Sequence, residues 1–358
     1  MELPDQSVYD LTPDDWNEFV RHQGLPAFRA SQIQQWLYQQ YAASFDEMTN
    51  LPQSLRQQLA ASLHDLAATA RLREHAGSAG RTGKLLLELH DGECVETVLI
   101  PAQGRNTVCI SCQAGCAFDC AFCASGKGGL VRSLTSGEIL AQVAHVSRLL
   151  GQRPDNIVFM GIGEPFANYE AVLSAVRRLN DPTAFGIGAR HITISTCGVV
   201  PGIRRLAGEC LQIELSVSLH AASNGQRSAL MPVNKRWPLE DLMAACREYT
   251  AVTNRIITFE YTLIRSFNDR PSDAARLLEL LRGLKCRINL IPLSPVAEFA
   301  GETPPARTLY GFRDALLQGG LNATLRTSRG LNVNAACGQL RLHSAGRTGR
   351  TTGNGTRR

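Results

Sequence analysis

The sequence predicts an α/β protein built on a parallel sheet, open or closed into a barrel, behind a small and mostly helical N-terminal region. Three observations predict it. From about residue 105 to 335, strand-like runs alternate with amphipathic helix-like runs. Polar residues gather where those strands end, at Gly163-Glu164, Ser195-Thr196, Ser218 and His220. Residues 1 to about 90 instead carry apolar residues at helical spacing. The implied division is a helical accessory domain at 1–90, a core with flanking strands at 91–342, and a basic tail at 343–358.

The elements follow in order. "LTPDDWNEFVRHQG" offers Thr12 as N-cap, Pro13 at the first helical position and Gly24 past the end. "RASQIQQWLYQQY" and "PQSLRQQLAASL" continue the helical spacing. "GKLLLELHDGECVETVLIP" reads as two strands joined at Asp91-Gly92. The core strands are TVCIS, NIVFMGI, HITIST, IELSVSLH, IITFEYTLI, RINLIPL and ATLRTS. Between the first two, "TSGEILAQVAHVSRLL" has a Thr135…Glu138 capping box, with Ile139, Val143, Val146 and Leu150 on one face. In parallel α/β folds the carboxyl ends of the strands carry the site. After Leu342, "HSAGRTGRTTGNGTRR" has almost nothing apolar and reads as a disordered tail.

Composition narrows the class. The chain has 358 residues, 44% of them hydrophobic, enough for a sizeable core. No apolar run approaches the roughly 20 residues that span a bilayer, and "MELPDQSVYDLTPDD" lacks the pattern of a signal peptide. The expectation is a cytoplasmic protein with no membrane partner. Its eleven cysteines are then reduced thiols, not a disulfide framework. The net charge of +5 is uneven: the first 50 residues are acidic, the end is arginine-rich, and arginines pair at Arg177-Arg178 and Arg204-Arg205. Such pairs are either a solvated surface or a phosphate-facing one.

The chemistry concentrates in "CQAGCAFDCAFCASGKGG". Cys116, Cys120 and Cys123 give C-x-x-x-C-x-x-C directly after the first core strand. Three thiolates on one tight loop can hold three corners of an iron–sulfur cube and leave one iron open. A structural zinc site asks for a second ligand knuckle, and none follows. Cys112 falls outside the spacing and is a bystander.

At these residues the chain resembles the radical S-adenosylmethionine enzymes. The runs "VCISCQAGCAFDCAFCASGKGG", "FMGIGEPFAN", "ITISTCGVVP", "SVSLHA", "LMPVNKRWPL", "INLIP" and "AACGQL", in that order, resemble the RlmN/Cfr group of rRNA adenine methyltransferases. "FRASQIQQWLYQQYAASFDEMTNLP" is similar to that group's accessory domain, and the likeness covers about residues 10 to 340.

The resemblance implies a partial (β/α)6 barrel of TIM type, a 4Fe–4S cluster on Cys116, Cys120 and Cys123, and S-adenosylmethionine on the open iron. Gly163, Glu164, Ser195, Ser218, Leu219, His220 and Ser294 match the group's cofactor contacts. Taken alone, "GIGEP" is a strand-ending turn and His220 a satisfied strand-end histidine. The adenine carbon between the two pyrimidine nitrogens is too electron-poor to attack a methyl sulfonium, so the chemistry must come from a cofactor. The resemblance makes Cys337 of "AACGQL" the methyl carrier. A second S-adenosylmethionine is cleaved to a 5′-deoxyadenosyl radical that activates the methyl for addition to the base. Cys109 would resolve the protein–RNA adduct through a transient disulfide with Cys337, and Glu96 would accept the ring proton. Without the likeness, Cys109 is a small core residue and Glu96 an exposed strand residue.

The implied partners are RNA (23S rRNA and tRNA) and an electron donor such as flavodoxin or ferredoxin, with the chain acting as a monomer. Departures from the group's pattern cluster near the site: Ser294 for Asn, Asn332 and Asn334 for acids, Cys197 for Ser and Lys127 for Gln. Three functions stand: carbon-2 methylation, carbon-8 methylation as in the antibiotic-resistance branch, and a non-catalytic iron–sulfur RNA-binding or redox-sensing protein. "GEP" leans to carbon 2, and Cys109 with Cys337 argues against the third.

Overall fold

The computed structural model describes residues 6–77, 81–102, 104–326, 338–341 and 343–344. The N-terminal part holds β1 (Gln6–Ser7), α1 (Pro13–His22), α2 (Phe28–Tyr38), α3 (Gln53–Ser62), β2 (Leu63–His64) and α4 (Leu66–Thr69). Helix α1 starts as its sequence dictates. The Asp15 N–H donates to Thr12 Oγ1 at 3.2 Å, and the Thr12 N–H donates to the Asp15 carboxylate at 2.8 Å. Trp16, Phe19, Ile33, Leu37, Leu55 and Leu59 are buried and belong to the same continuous core as the strands that follow.

Next come β3 (Ala70–Ala76), β4 (Gly83–Leu89), β5 (Glu93–Ala102) and β6 (Arg105–Cys109), all antiparallel neighbours. A two-stranded sheet, β7 (Gln113–Gly115) with β8 (Leu130–Ser133), flanks the cysteine loop. The repeating part is α5 (Ser136–Leu150), β9 (Asn156–Phe159), α6 (Tyr169–Asn180), β10 (Ile192–Thr196), α7 (Val200–Ala207), β11 (Glu214–Ser218), α8 (Asn224–Leu230), α9 (Leu239–Thr253), β12 (Ile257–Leu263), α10 (Pro271–Leu280), β13 (Cys286–Pro292), α11 (Ala306–Gln318) and β14 (Ala323–Leu325). A last short strand is β15 (His343–Ser344).

The large sheet runs β14-β13-β12-β11-β10-β9-β6-β5-β4-β3. Neighbours from β6 to β14 are parallel, each step carried by a helical crossover. The two ends of this path do not pair with each other among the described residues, so the barrel is partial, as expected. Every residue of the central strand β12 is buried, which explains its near-continuous apolar run. No helix among the described residues is long and apolar enough to cross a membrane.

Two expectations change. The stretch before residue 90 is less helical than its spacing implied. Ala70–Ala76 is an edge strand, polar because only Ala70 of its seven residues is buried. The tail after Leu342 is not wholly structureless, because β15 pairs antiparallel with Cys94 and Glu93 of β5. Its main-chain bonds need no apolar side chain. The rest of the tail lies outside the described residues.

The N-terminal part is fastened to the barrel at the start of α5. Asp10 accepts hydrogen bonds from the Gly137 N–H (2.5 Å) and the Thr135 hydroxyl (3.0 Å), occupying donors that the first turn of a helix leaves free. A Cβ at Gly137 would lie 2.6 Å from Asp10 Oδ2 and 2.8 Å from Ser7 Oγ. G137A should therefore destabilise the protein by about 1–3 kcal/mol in urea titration. G311A, in open space on α11, should be neutral or stabilising by up to about 1 kcal/mol. Equal midpoints for the two variants would refute this docking contact.

Candidate active site

The carboxyl ends of the parallel strands open into one cavity. Its wall includes Cys116, Cys120 and Cys123 from the loop after β6, Gly163 and Glu164 after β9, and Ser195 on β10. Ser218 and His220 at the end of β11, and Ser294 after β13, complete the set expected from sequence. Leu219 is the exception. Its side chain is fully buried in the apolar core and is absent from the wall, while its N–H donates to the Glu260 carbonyl at 3.0 Å.

The cysteine loop is held by backbone contacts. Gln142 clamps its root: the Ser111 N–H donates to the Gln142 side chain at 2.8 Å, and Gln142 donates back to the Ser111 carbonyl at 2.8 Å. The Cys116 N–H donates to Gly129 O at 2.9 Å, and the Ala121 N–H to Leu230 O at 2.8 Å. Gly115 must be glycine. Its φ is +81°, and a Cβ there would sit 2.0 Å from Gly129 O. Gly163 is equally constrained, with φ +106° and a Cβ position 2.6 Å from the Gln113 side chain.

The donor set fits an iron–sulfur cluster. Burial pushes the Cys116 thiol up to about 12 and Cys120 well above its ordinary value, with neighbouring thiolates adding to both. Three thiolates crowded on one half-buried wall call for a cation between them. No three of the described His, Cys, Asp or Glu side chains close on a single metal ion.

Around the thiols the wall is polar in specific places. Glu164 is buried, and its carboxylate accepts the N–H of Phe166 (3.0 Å) and of Cys197 (2.7 Å). Burial raises its pKa while those two N–H groups oppose the rise. His220 is pushed down to about 3, by burial first and then by the Arg227 charge. It is neutral at physiological pH. Its Nδ1 accepts the Thr262 N–H at 2.9 Å, which leaves the proton on Nε2. Phe122, between Cys120 and Cys123, meets the His220 ring edge-on with centroids 4.7 Å apart. Arg227, fully buried, donates to the Cys197 carbonyl at 2.7 Å and the Ser218 carbonyl at 3.2 Å, tying the ends of β10 and β11 together.

Cys109 and Glu96 are not in the wall of this cavity; they lie on the adjacent strands β6 and β5. Cys109 pairs in register with Val98 and packs with Val98, Ile162 and Leu340. Glu96 is not an exposed strand residue: it is 2% exposed, with Lys84 Nζ 2.7 Å from Oε1 and the Arg341 N–H donating to Oε2 at 2.9 Å. Cys337, Asn332 and Asn334 lie outside the described residues. The four residues that follow Cys337 are described, and they are tied on three sides. Ala124 N–H donates to Gly338 O (2.7 Å) and the Ser125 hydroxyl to Leu340 O (2.8 Å), both from the cysteine loop. Gln339 donates to Pro295 O (2.9 Å), next to Ser294. Arg341 reaches Glu96 through its N–H and grips Glu298 through its guanidinium (2.5 and 2.9 Å).

Some wall residues escaped sequence reading, notably Glu260, Thr262 and Arg326. An acid inside the apolar run "ITFEYTL" was the available signal for Glu260. The arginine pairs do not present free cations. Arg177, Arg178, Arg204 and Arg205 bridge to Glu209, Asp181, Glu248 and Glu170 respectively. A phosphate-facing role would have to break those pairs.

Comparison with known proteins agrees with this architecture. Residues 7–64 match the ribosomal RNA large subunit methyltransferase N-terminal domain, and residues 110–278 match the radical SAM superfamily. The chain is 46% identical over 341 residues to the probable dual-specificity RNA methyltransferase RlmN of Geobacillus kaustophilus, covering 94% of this chain and 93% of that one. It is 45% identical to the protein of that name from Moorella thermoacetica, covering 93% and 96%. The crystal structure of a radical SAM methyltransferase from Sphaerobacter thermophilus superposes with a TM-score of 0.90 at 45% identity, over 94% of this chain and 99% of that one. The likeness runs over nearly the whole length of both chains, and the N-terminal and radical SAM family models both match: the chain belongs to the RlmN family of radical S-adenosylmethionine RNA methyltransferases.

Proposed function

We propose that this protein methylates carbon 2 of an adenosine in 23S rRNA and in tRNA, using Cys337 as the methyl carrier. One observation carries the reading. The residues directly after Cys337 are bonded both to the cysteine loop and to Glu96, while Leu340 packs on Cys109. The segment that follows Cys337 is thereby in direct contact with the cluster loop, with Glu96 and with Cys109, which supports the reading. The relatives' name, dual-specificity RNA methyltransferase, supports two RNA substrates, and nothing in the wall favours carbon 8.

Cys116, Cys120 and Cys123 would hold the 4Fe–4S cluster, and Gly163, Glu164, Ser195, Ser218, His220 and Ser294 would hold S-adenosylmethionine. Together these two groups supply a primary-carbon radical when reduced. The chain's own residues do the rest. Glu164 keeps spare lone pairs on both oxygens for the cofactor's ammonium. Neutral His220 offers an N–H donor without a charge that would repel a sulfonium. Glu96, ion-paired with Lys84, accepts the proton that the ring carbon gives up. The Cys109 thiolate attacks the Cys337 sulfur, the carbon–sulfur bond breaks with its electron pair left on the base-bound methylene carbon, that carbon takes a proton to become the methyl group, and the resulting disulfide is reduced by two electrons and two protons before the next turnover. The target adenine must leave its stack to reach the cavity. A small redox protein such as flavodoxin or ferredoxin supplies the electrons, and the enzyme works as a cytoplasmic monomer.

Protein purified without oxygen should contain about four irons per chain, and Ala at Cys116, Cys120 or Cys123 should abolish iron and activity together. An iron-free triple variant that still methylates RNA would refute the reading.

The two remote cysteines should fail differently. C109A should accumulate RNA covalently bound through Cys337, seen as a nuclease-sensitive shift on a denaturing gel. C337A should never become linked to RNA. Normal turnover by C109A with its cluster intact would overturn the assignment.

A further inference from the structure

Arg227 is a buried cation without an anion. It is fully buried on α8, and among the described residues no carboxylate pairs with it. Its Nη1 donates to Asn234 Oδ1 at 3.0 Å and its Nη2 to the carbonyls of Cys197 (2.7 Å) and Ser218 (3.2 Å), all neutral acceptors. Its Nε has no hydrogen-bond partner among the described residues. Arg178, also buried, has Asp181 at 3.0 Å instead. The backbone makes room for the unpaired group: Gly198 has φ +107°, and a Cβ there would lie 2.9 Å from Arg227 Nη2. A buried guanidinium keeps its proton, and leaving it unpaired is costly.

Position names the missing anion. The end of α8 is pinned to the cysteine loop. Ala121 N–H donates to Leu230 O at 2.8 Å, and Leu230 and Met231 pack with Phe118, Cys120 and Phe122. Leu230 follows Arg227 by three residues, so the two share a side of the helix. Burial and neighbouring thiolates raise the Cys120 thiol, and the Arg227 charge works against that rise. Other cations of this region are already matched: Lys127 pairs with Asp119 at 2.7 Å, and Arg326 lies 3.7 Å from Glu260. Glu164 meets the guanidinium through the Cys197 main chain, accepting its N–H, and its charge is committed to the cofactor's ammonium. A cluster on three thiolates is net negative and becomes more so when it takes up an electron. We infer that Arg227 is the fixed counter-charge of that cluster: it stabilises the reduced state and so raises the potential at which the electron enters. One electron arrives from the reductant, no proton moves, and no bond is made or broken. This rests on the cluster reading above.

The test is a potentiometric titration of the cluster-loaded full chain without S-adenosylmethionine, read by electron paramagnetic resonance of the reduced cluster. R227M, at wild-type iron content, should make reduction about tenfold less favourable, a potential about 59 mV lower. R227K keeps the charge and should stay within about threefold of wild type. N234D leaves Arg227 in place but sets a carboxylate where Asn234 now accepts from it. That variant should make reduction less favourable by more than about threefold. An R227M shift below about threefold refutes the inference. So does an R227K shift as large as that of R227M, which would make the role packing and not charge. If R227M sheds its iron, N234D decides, and an unchanged potential there refutes the inference. If both shed iron, R227K decides: wild-type iron and potential support the charge, and lost iron refutes it. A wild type with no reducible cluster would bring down the cluster reading instead.

Discussion

Three thiols crowded into one buried wall are the constraint around which this molecule is arranged. Cys116 and Cys120 are expensive to ionise there, since burial and their neighbours' charge act in the same direction. A cation relieves that cost only if the loop holds the sulfurs still. The loop is accordingly bound to β8, to the end of α8 and to the Gln142 side chain, and it turns at a glycine that tolerates no Cβ. Charge on the wall around it is limited and placed, with Arg326 the exposed cation. Glu164 is tied down by two N–H groups and His220 is neutral.

The same loop organises the far end of the chain. Gly338–Arg341 is bonded to Ala124 and Ser125, and from there to Pro295, Glu298 and Glu96. Fixing one short segment by three separate elements is a long-range device. It ties the residues just after Cys337 to the cysteine loop, to the segment after β13 and to β5. The exposed Arg341–Glu298 pair contributes little stability of its own, so its bidentate geometry serves position more than energy.

Sequence made the periodic and local features legible. The Thr12 and Thr135 capping boxes, the hairpin at Asp91-Gly92 and every core strand follow from contacts within a few residues, or from an alternation set by burial on two faces. The cysteine spacing was legible because three ligands on one loop is itself a local geometry. What was not legible depends on distant partners. Strand β3 is polar and forms only because β4 offers an edge; β15 pairs through its main chain; three of the four paired arginines are neutralised by glutamates tens of residues away. Glu96 read as an exposed alternate residue until Lys84 and Arg341 closed over it. Glu260 hid in an apolar strand, where its value depends on a cavity no local pattern encodes.

The central claim is that this architecture puts a methyl group on carbon 2 of adenine in RNA. It is tested most directly by incubating the cluster-loaded, reduced enzyme with S-adenosylmethionine and unmodified 23S rRNA, digesting the RNA to nucleosides, and separating the methyladenosines by liquid chromatography and mass spectrometry. The account predicts 2-methyladenosine, dependent on Cys337. A product that is 8-methyladenosine, or no methylated adenosine from a fully loaded enzyme, would contradict it.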